Sequence, residues 1–126
     1  MSTMRLEIVT PMGEIYNAEV SMVTLPGSEG EFGVLPGHAA LVSLLDAGVI
    51  TIKTANGNEV LVAIDSGYVK VDEEKVIAIV DGAVVVKDEE GVLSENIEEA
   101  KKLLQSAATS DTAIAAAVSK VESIKR

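Results

Sequence analysis

Chemistry in this chain would have to come from few side chains. His38 is the single histidine among 126 residues. A lone imidazole can act as a base, but catalysis also needs a nucleophile and an orienting acid within reach. Beside Pro36 and Gly37, His38 more simply hydrogen-bonds its own loop. Ser66 sits in Asp65-Ser66-Gly67-Tyr68, which lacks the G-x-S-x-G elbow of a serine nucleophile. Gly67 there permits a bulge or a close backbone approach. There is no cysteine, so disulfides, thiolate chemistry and Cys-based zinc sites are excluded. Asp72-Glu73-Glu74 and Asp88-Glu89-Glu90 lack the alternating ligand spacing of a calcium loop. They read as a solvated turn and a solvated linker. These residues predict no catalytic centre, no metal and no cofactor.

The most distinctive segment is Gly27-Ser28-Glu29-Gly30-Glu31-Phe32-Gly33-Val34-Leu35-Pro36-Gly37-His38. Its glycines permit close backbone approach, and Pro36 restricts both itself and Leu35. The spacing G-x-x-G-x-x-G is neither a Walker loop nor a dinucleotide fingerprint. The segment holds no Lys or Arg, and Glu29 and Glu31 would repel an anion. It reads as an ordered acidic loop that contacts protein. Two carboxylates on a fixed loop can pair with basic or amide groups of a partner and set its orientation.

Composition narrows the field of partners. The formal net charge is −10, which opposes nucleic acid and anionic lipid. The excess of acid holds in both parts, with five Lys/Arg against twelve Asp/Glu over residues 1–87 and five against eight over residues 88–126. One Phe, two Tyr and no Trp leave few platforms for stacking bases or sugars. No apolar run has the length of a membrane span, and the start has no apolar signal core. The expected location is therefore cytosolic, with any membrane attachment made through partners.

The elements that position these residues are strands up to Lys87. Leu6, Ile8 and Thr10 alternate with Arg5, Glu7 and Val9; Val20, Met22 and Thr24 alternate with Ser21, Val23 and Leu25. This period of two in β-branched sequence predicts half-buried strands. Val49–Thr54 and Val60–Ile64 flank Ala55-Asn56-Gly57-Asn58, where Asn-Gly predicts a type I′ hairpin turn. A second hairpin joins Tyr68–Val71 to Val76–Val80 through Asp72-Glu73-Glu74-Lys75, and Ala83–Val86 adds a short strand. Met1, Met4, Met12 and Met22 form no helical stripe and read as core or strand-face residues. Many short strands with regular turns predict a β-sandwich or barrel.

After Asp88-Glu89-Glu90-Gly91 the period becomes helical. Ser94 and Asn96 compete as the cap of a first helix, with Ile97, Ala100, Leu104 and Ala107 on one face. Ser110 or Asp111 caps a second helix, with Ile114, Ala117, Val118, Val121 and Ile124 as its stripe. Two helices with small apolar faces predict an antiparallel α-helical hairpin. It buries little area, at about 25 cal/mol per Å², and so detaches easily.

The glycine-rich run, ending in Pro36-Gly37-His38, closely resembles the signature of the epsilon subunit of F-type ATP synthases. The resemblance continues through Asp65-Ser66-Gly67-Tyr68-Val69-Lys70-Val71 and into the alanine-rich tail. It implies a flattened β-sandwich over residues 1–87, binding the gamma subunit and the c-ring. Over residues 88–126 it implies a linker and a two-helix regulatory hairpin. The implied role is a non-catalytic central-stalk subunit that couples proton-driven rotation to ATP synthesis, peripheral to the cytoplasmic face of a bacterial inner membrane. By position, Glu29, Gly30 and Glu31 would face the c-ring, and His38, Ala40, Leu41 and Val42 the gamma subunit.

In this family the hairpin folded on the sandwich permits ATP hydrolysis; extended along gamma into the alpha/beta head, it blocks rotation. Some bacterial members bind ATP through Ile/Leu-Asp-x-x-Arg-Ala. The matching run here is Ile97-Glu98-Glu99-Ala100-Lys101-Lys102. Glu98 and Lys101 thus take the places of ATP contacts, although lysine does not replace arginine at a planar bidentate site. The resemblance gives the second helix an inhibitory role through Lys120, Lys125 and Arg126, or through packing of Val118, Val121 and Ile124. From the residues alone, the alternative is a free-standing β-sandwich ligand-binding module with a helical tail.

Overall fold

A computed structural model describes residues 2–87 of the chain, and these form nine strands. The expected helical hairpin, with Glu98, Lys101, Val118, Lys120, Val121, Ile124, Lys125 and Arg126, lies outside the described residues. The strands are β1 (Met4–Thr10), β2 (Gly13–Gly27), β3 (Gly30–Val34), β4 (Leu41–Leu45), β5 (Gly48–Thr54), β6 (Glu59–Ile64), β7 (Gly67–Val71), β8 (Lys75–Val80) and β9 (Ala83–Lys87).

They make a β-sandwich in which β2, fifteen residues long, serves both sheets. Its first half pairs antiparallel with β1, which runs parallel to β8; β8 pairs with β7, and β7 with β4. The second half lies between β3 and β5, followed by β6 and β9. Gly27 at the end of β2 meets Leu45 of β4 and joins the sheets again. Leu6, Ile8, Val69, Val71, Val76 and Ala78 of one sheet close on Val23, Leu25, Ile50, Ile52, Val60 and Val62 of the other.

A strict period of two cannot carry β2 through both sheets. Val20 is buried, Met22 is exposed, and Val23 and Leu25 are buried again. A β-bulge makes this change of phase: the register steps from Val20↔Thr54 to Met22↔Lys53, leaving Ser21 unpaired. The Ser21 hydroxyl lies 3.2 Å from the carbonyls of both Lys53 and Thr54, filling the gap in the ladder.

Several sequence expectations are corrected. Gly30–Val34 is a strand, not part of a single long loop, and only Ser28 and Glu29 form its hairpin tip. Glycine hid the strand signal carried by Phe32 and Val34, which face Leu25 and Val23. The Asn56-Gly57 turn is not type I′, which requires positive φ at both residues. Only Gly57 has it, at +85°. The Gly57 N–H donates to the Thr54 carbonyl (3.0 Å) and the Thr54 N–H to Asn58 (2.9 Å). The result is a three-residue turn closed by glycine. Met12 is neither core nor strand face; it projects from the Pro11-Met12 turn, 94% exposed.

Candidate functional site

β4 carries no period-two signal because its outward positions are apolar while its inward ones include Ser43. Leu41 faces Val71 and packs on the core, and Leu45 is buried. Val42 and Leu44 point outward and are 70% and 67% exposed. Across the sheet, Leu44 pairs with Tyr68, Tyr68 with Ile79, and Ile79 with Val9. Tyr68 and Ile79 are also exposed, so an apolar row crosses four strands on the solvent side. A contiguous apolar patch on an otherwise acidic domain marks a protein contact.

Charge borders this row. Next to it along the strands run Val42, Lys70, Ile77 and Glu7, and then Lys75 and Arg5. Lys75 pairs with Glu7, and Arg5 with Glu19 at 3.6 Å. Exposed pairs of this kind add little stability, but they give the patch a polar rim. The Lys75 ammonium holds the Glu7 carboxyl below its usual range, against the opposing effect of desolvation.

At the mouth of β4 lies the turn Leu35-Pro36-Gly37-His38. Pro36 takes the second position and Gly37 the third with φ +84°, an arrangement that favours glycine there. The His38 N–H closes the turn on the Leu35 carbonyl (3.1 Å). His38 Nδ1 lies 2.7 Å from the Ala39 carbonyl, which makes the ring nitrogen the donor. The imidazole thus secures its own loop. The structure brings His38, Ala40 and Val42 to one stretch of surface but turns Leu41 inward. Glu29, Gly30 and Glu31 lie exposed at the β2–β3 tip, at the other end of β4, where the Ser28 N–H donates to Leu44 (3.0 Å).

The turn between β7 and β8 is built on Asp72. Its Oδ1 accepts from the N–H of Glu74 (2.9 Å) and of Lys75 (2.8 Å). These bonds hold the carboxyl below its ordinary range. Asp72 and Glu7 therefore bind protons less readily folded than unfolded. Their stabilisation is fully present above the unfolded value, about pH 4, and is lost as pH falls through the folded value. Acid denaturation followed by circular dichroism is expected to show a stability loss below about pH 4 that is smaller in Asp72→Asn. An equally steep acid limb in the variant would overturn that assignment.

The sequence reading missed Leu44, Tyr68 and Ile79, although apolar residues in both phases of β4 were the available signal. It also missed a second apolar surface. Val49, Leu61, Ala63 and Val86 are buried yet stand outside the sandwich core, on the opposite face of β5, β6 and β9. The continuous run Val60-Leu61-Val62-Ala63-Ile64 is the pattern of a strand covered on both sides.

Residues 3–98 match the family described as ATP synthase, Delta/Epsilon chain, beta-sandwich domain. The chain is 64% identical over 124 residues to the ATP synthase epsilon chain of Sulfurovum sp. (strain NBC37-1), covering 98% of this chain and 97% of that one. It is 51% identical to the epsilon chain of Campylobacter fetus subsp. fetus, covering 100% and 98%. Among solved structures, it resembles a chain of the Euglena gracilis mitochondrial ATP synthase OSCP/F1/c-ring assembly. That match has a TM-score of 0.65 at 22% identity, covering 98% of this chain and 76% of that one. A chain of the Tetrahymena thermophila central stalk/c-ring structure gives 0.55 at 15% identity, covering 98% and 92%. At these identities the structural likeness speaks for the fold.

Proposed function

The chain belongs to the epsilon subunits of F-type ATP synthases, which are non-catalytic, and from that premise we propose that it couples rotation of the central stalk to ATP synthesis by bridging gamma and the c-ring. The observation that carries this reading is the exposed apolar row through Leu44, Tyr68 and Ile79, with Val42 beside it. It offers gamma an apolar contact with a polar rim, and the His38 turn lies at the start of β4, on the Val42 side of the row. Glu29, Gly30 and Glu31, at the tip of a short hairpin, are suited to meet the polar loops of the ring. The subunit then sits peripherally at the cytoplasmic face of a bacterial inner membrane, held there through its partners.

Residues 88–126 serve as the regulatory arm in this proposal. Small apolar stripes bury little area, so an arm of this composition can exchange with a binding mode on gamma and the catalytic head.

Replacing Lys120, Lys125 and Arg126 together with alanine tests the arm. The full chain is titrated into an epsilon-depleted alpha/beta/gamma head, with hydrolysis and co-elution measured on the same samples. Equal binding with hydrolysis raised about twofold or more is expected if these cations steady an inhibitory state in the acidic head. Equal binding and an unchanged rate would remove the electrostatic brake. Failure of the unaltered chain to bind the head would remove the coupling role.

A further inference from the structure

The β7–β8 turn anchors two segments that are remote in sequence. The Glu73 carbonyl accepts the N–H of Gly37 (3.2 Å), in the turn that ends at His38. The Glu74 carbonyl accepts the N–H of Arg5 (3.0 Å), at the start of β1. Each carbonyl belongs to a peptide group whose N–H is held by the same side chain. The Glu73–Glu74 peptide contributes the Glu74 N–H, and the Glu74–Lys75 peptide the Lys75 N–H. Both donate to Asp72 Oδ1, at 2.9 and 2.8 Å. A trans peptide is planar, with its N–H and C=O pointing in opposite directions. Fixing the two N–H groups on one carboxylate oxygen therefore aims the two carbonyls away from it, at Gly37 and at Arg5.

We propose that Asp72 is a positioning residue for the gamma-facing surface: by orienting the Glu73–Glu74 peptide it sets the place of the Pro36-Gly37-His38 turn at the start of β4, on the Val42 side of the apolar row. The inference rests on the reading that this turn meets gamma. In this proposal Asp72 acts through the two peptide groups and not by touching the partner. The Asp72 N–H donates to the Lys75 carbonyl at 2.9 Å, so the backbone of the hairpin closes without the side chain. Removing the carboxylate should free the two peptide planes without undoing the strand pairing of Val71 with Val76.

The test uses the full chain in three forms: unaltered, Asp72→Ala and Asp72→Asn. Amide hydrogen exchange is read at Gly37, Arg5 and the core residues Ile52 and Val62, and affinity is measured for the gamma-containing head. In Asp72→Ala, exchange at Gly37 and Arg5 is expected to quicken about tenfold with the core amides unchanged, and head affinity to fall by a similar factor. Asp72→Asn keeps an acceptor oxygen and is expected to restore both. Unchanged exchange at Gly37 in Asp72→Ala, or absence of rescue by Asn, would overturn the positioning role whatever the affinity does. Faster exchange at Gly37 with full head affinity would instead overturn the contact of this turn with gamma, and with it the proposed role at the interface.

Discussion

Gly67→Ala is expected to cost the domain about 3 kcal/mol or more, a large share of the stability of a small domain. A Cβ at Gly67 would stand 2.1 Å from the Ile79 carbonyl oxygen and 2.7 Å from the Val80 Cα. Both are backbone atoms of β8, so no rotamer change relieves the overlap. The strands would have to separate where Gly67 pairs with Val80 on one side and Leu45 on the other. The same corner is tied by Asp65, whose Oδ1 accepts from the N–H groups of Ser66 (2.6 Å) and Gly82 (2.8 Å). Urea unfolding of the full chain measures the loss. Gly57→Ala is the control: nothing lies within 4 Å of its added Cβ, and only the positive φ opposes it. That strain costs about 1 kcal/mol. Equal midpoints for the two variants would show that β7 and β8 slide apart freely and that close approach does not fix the corner.

The double substitution Val42→Asp and Leu44→Asp is expected to weaken association with a gamma-containing head about a hundredfold or more, since apolar anchors at the centre of an interface carry most of its free energy. The free domain should tolerate the change. Both side chains are more than two-thirds or about two-thirds exposed, at 70% and 67%, and neither belongs to the core. Buried carboxylates facing an apolar partner would remain unpaired, which adds a desolvation cost to the lost contact. Binding by calorimetry and unfolding by urea on the same preparations separate the two effects. Unchanged affinity would remove this row as the gamma contact; lost affinity accompanied by lost stability would show that the two residues support the fold.

The fold was legible where burial was one-sided. Leu6, Ile8 and Thr10 alternate with more polar neighbours because β1 has one covered face, and the structure buries all three. The Asp72–Lys75 turn was legible because Asp favours the first position of such a turn and accepts from the following amides. Gly67 was legible as a place of close backbone approach. Alternation failed for β4, whose two faces are both apolar for different reasons: Leu41 and Leu45 turn to the core, while Val42 and Leu44 turn to solvent. It failed for β3 because Gly30 and Gly33 dilute the signal of Phe32 and Val34.

The sequence by itself determined a mostly β domain, its acidic character, the absence of thiol chemistry, and, through Pro36-Gly37-His38 and its surroundings, the family. These follow from local periodicity, composition and short-range turn chemistry, which need no knowledge of distant neighbours. The tertiary structure alone decided that Leu44, Tyr68, Ile79 and Val9 share one row, since only strand register brings residues from four separate strands together. It likewise decided that β2 changes its inward face at Ser21, because the bulge is set by the pairing with Lys53 and Thr54. It also decided that Asp72 reaches Gly37 through a peptide group, a connection across 35 positions that no local pattern encodes.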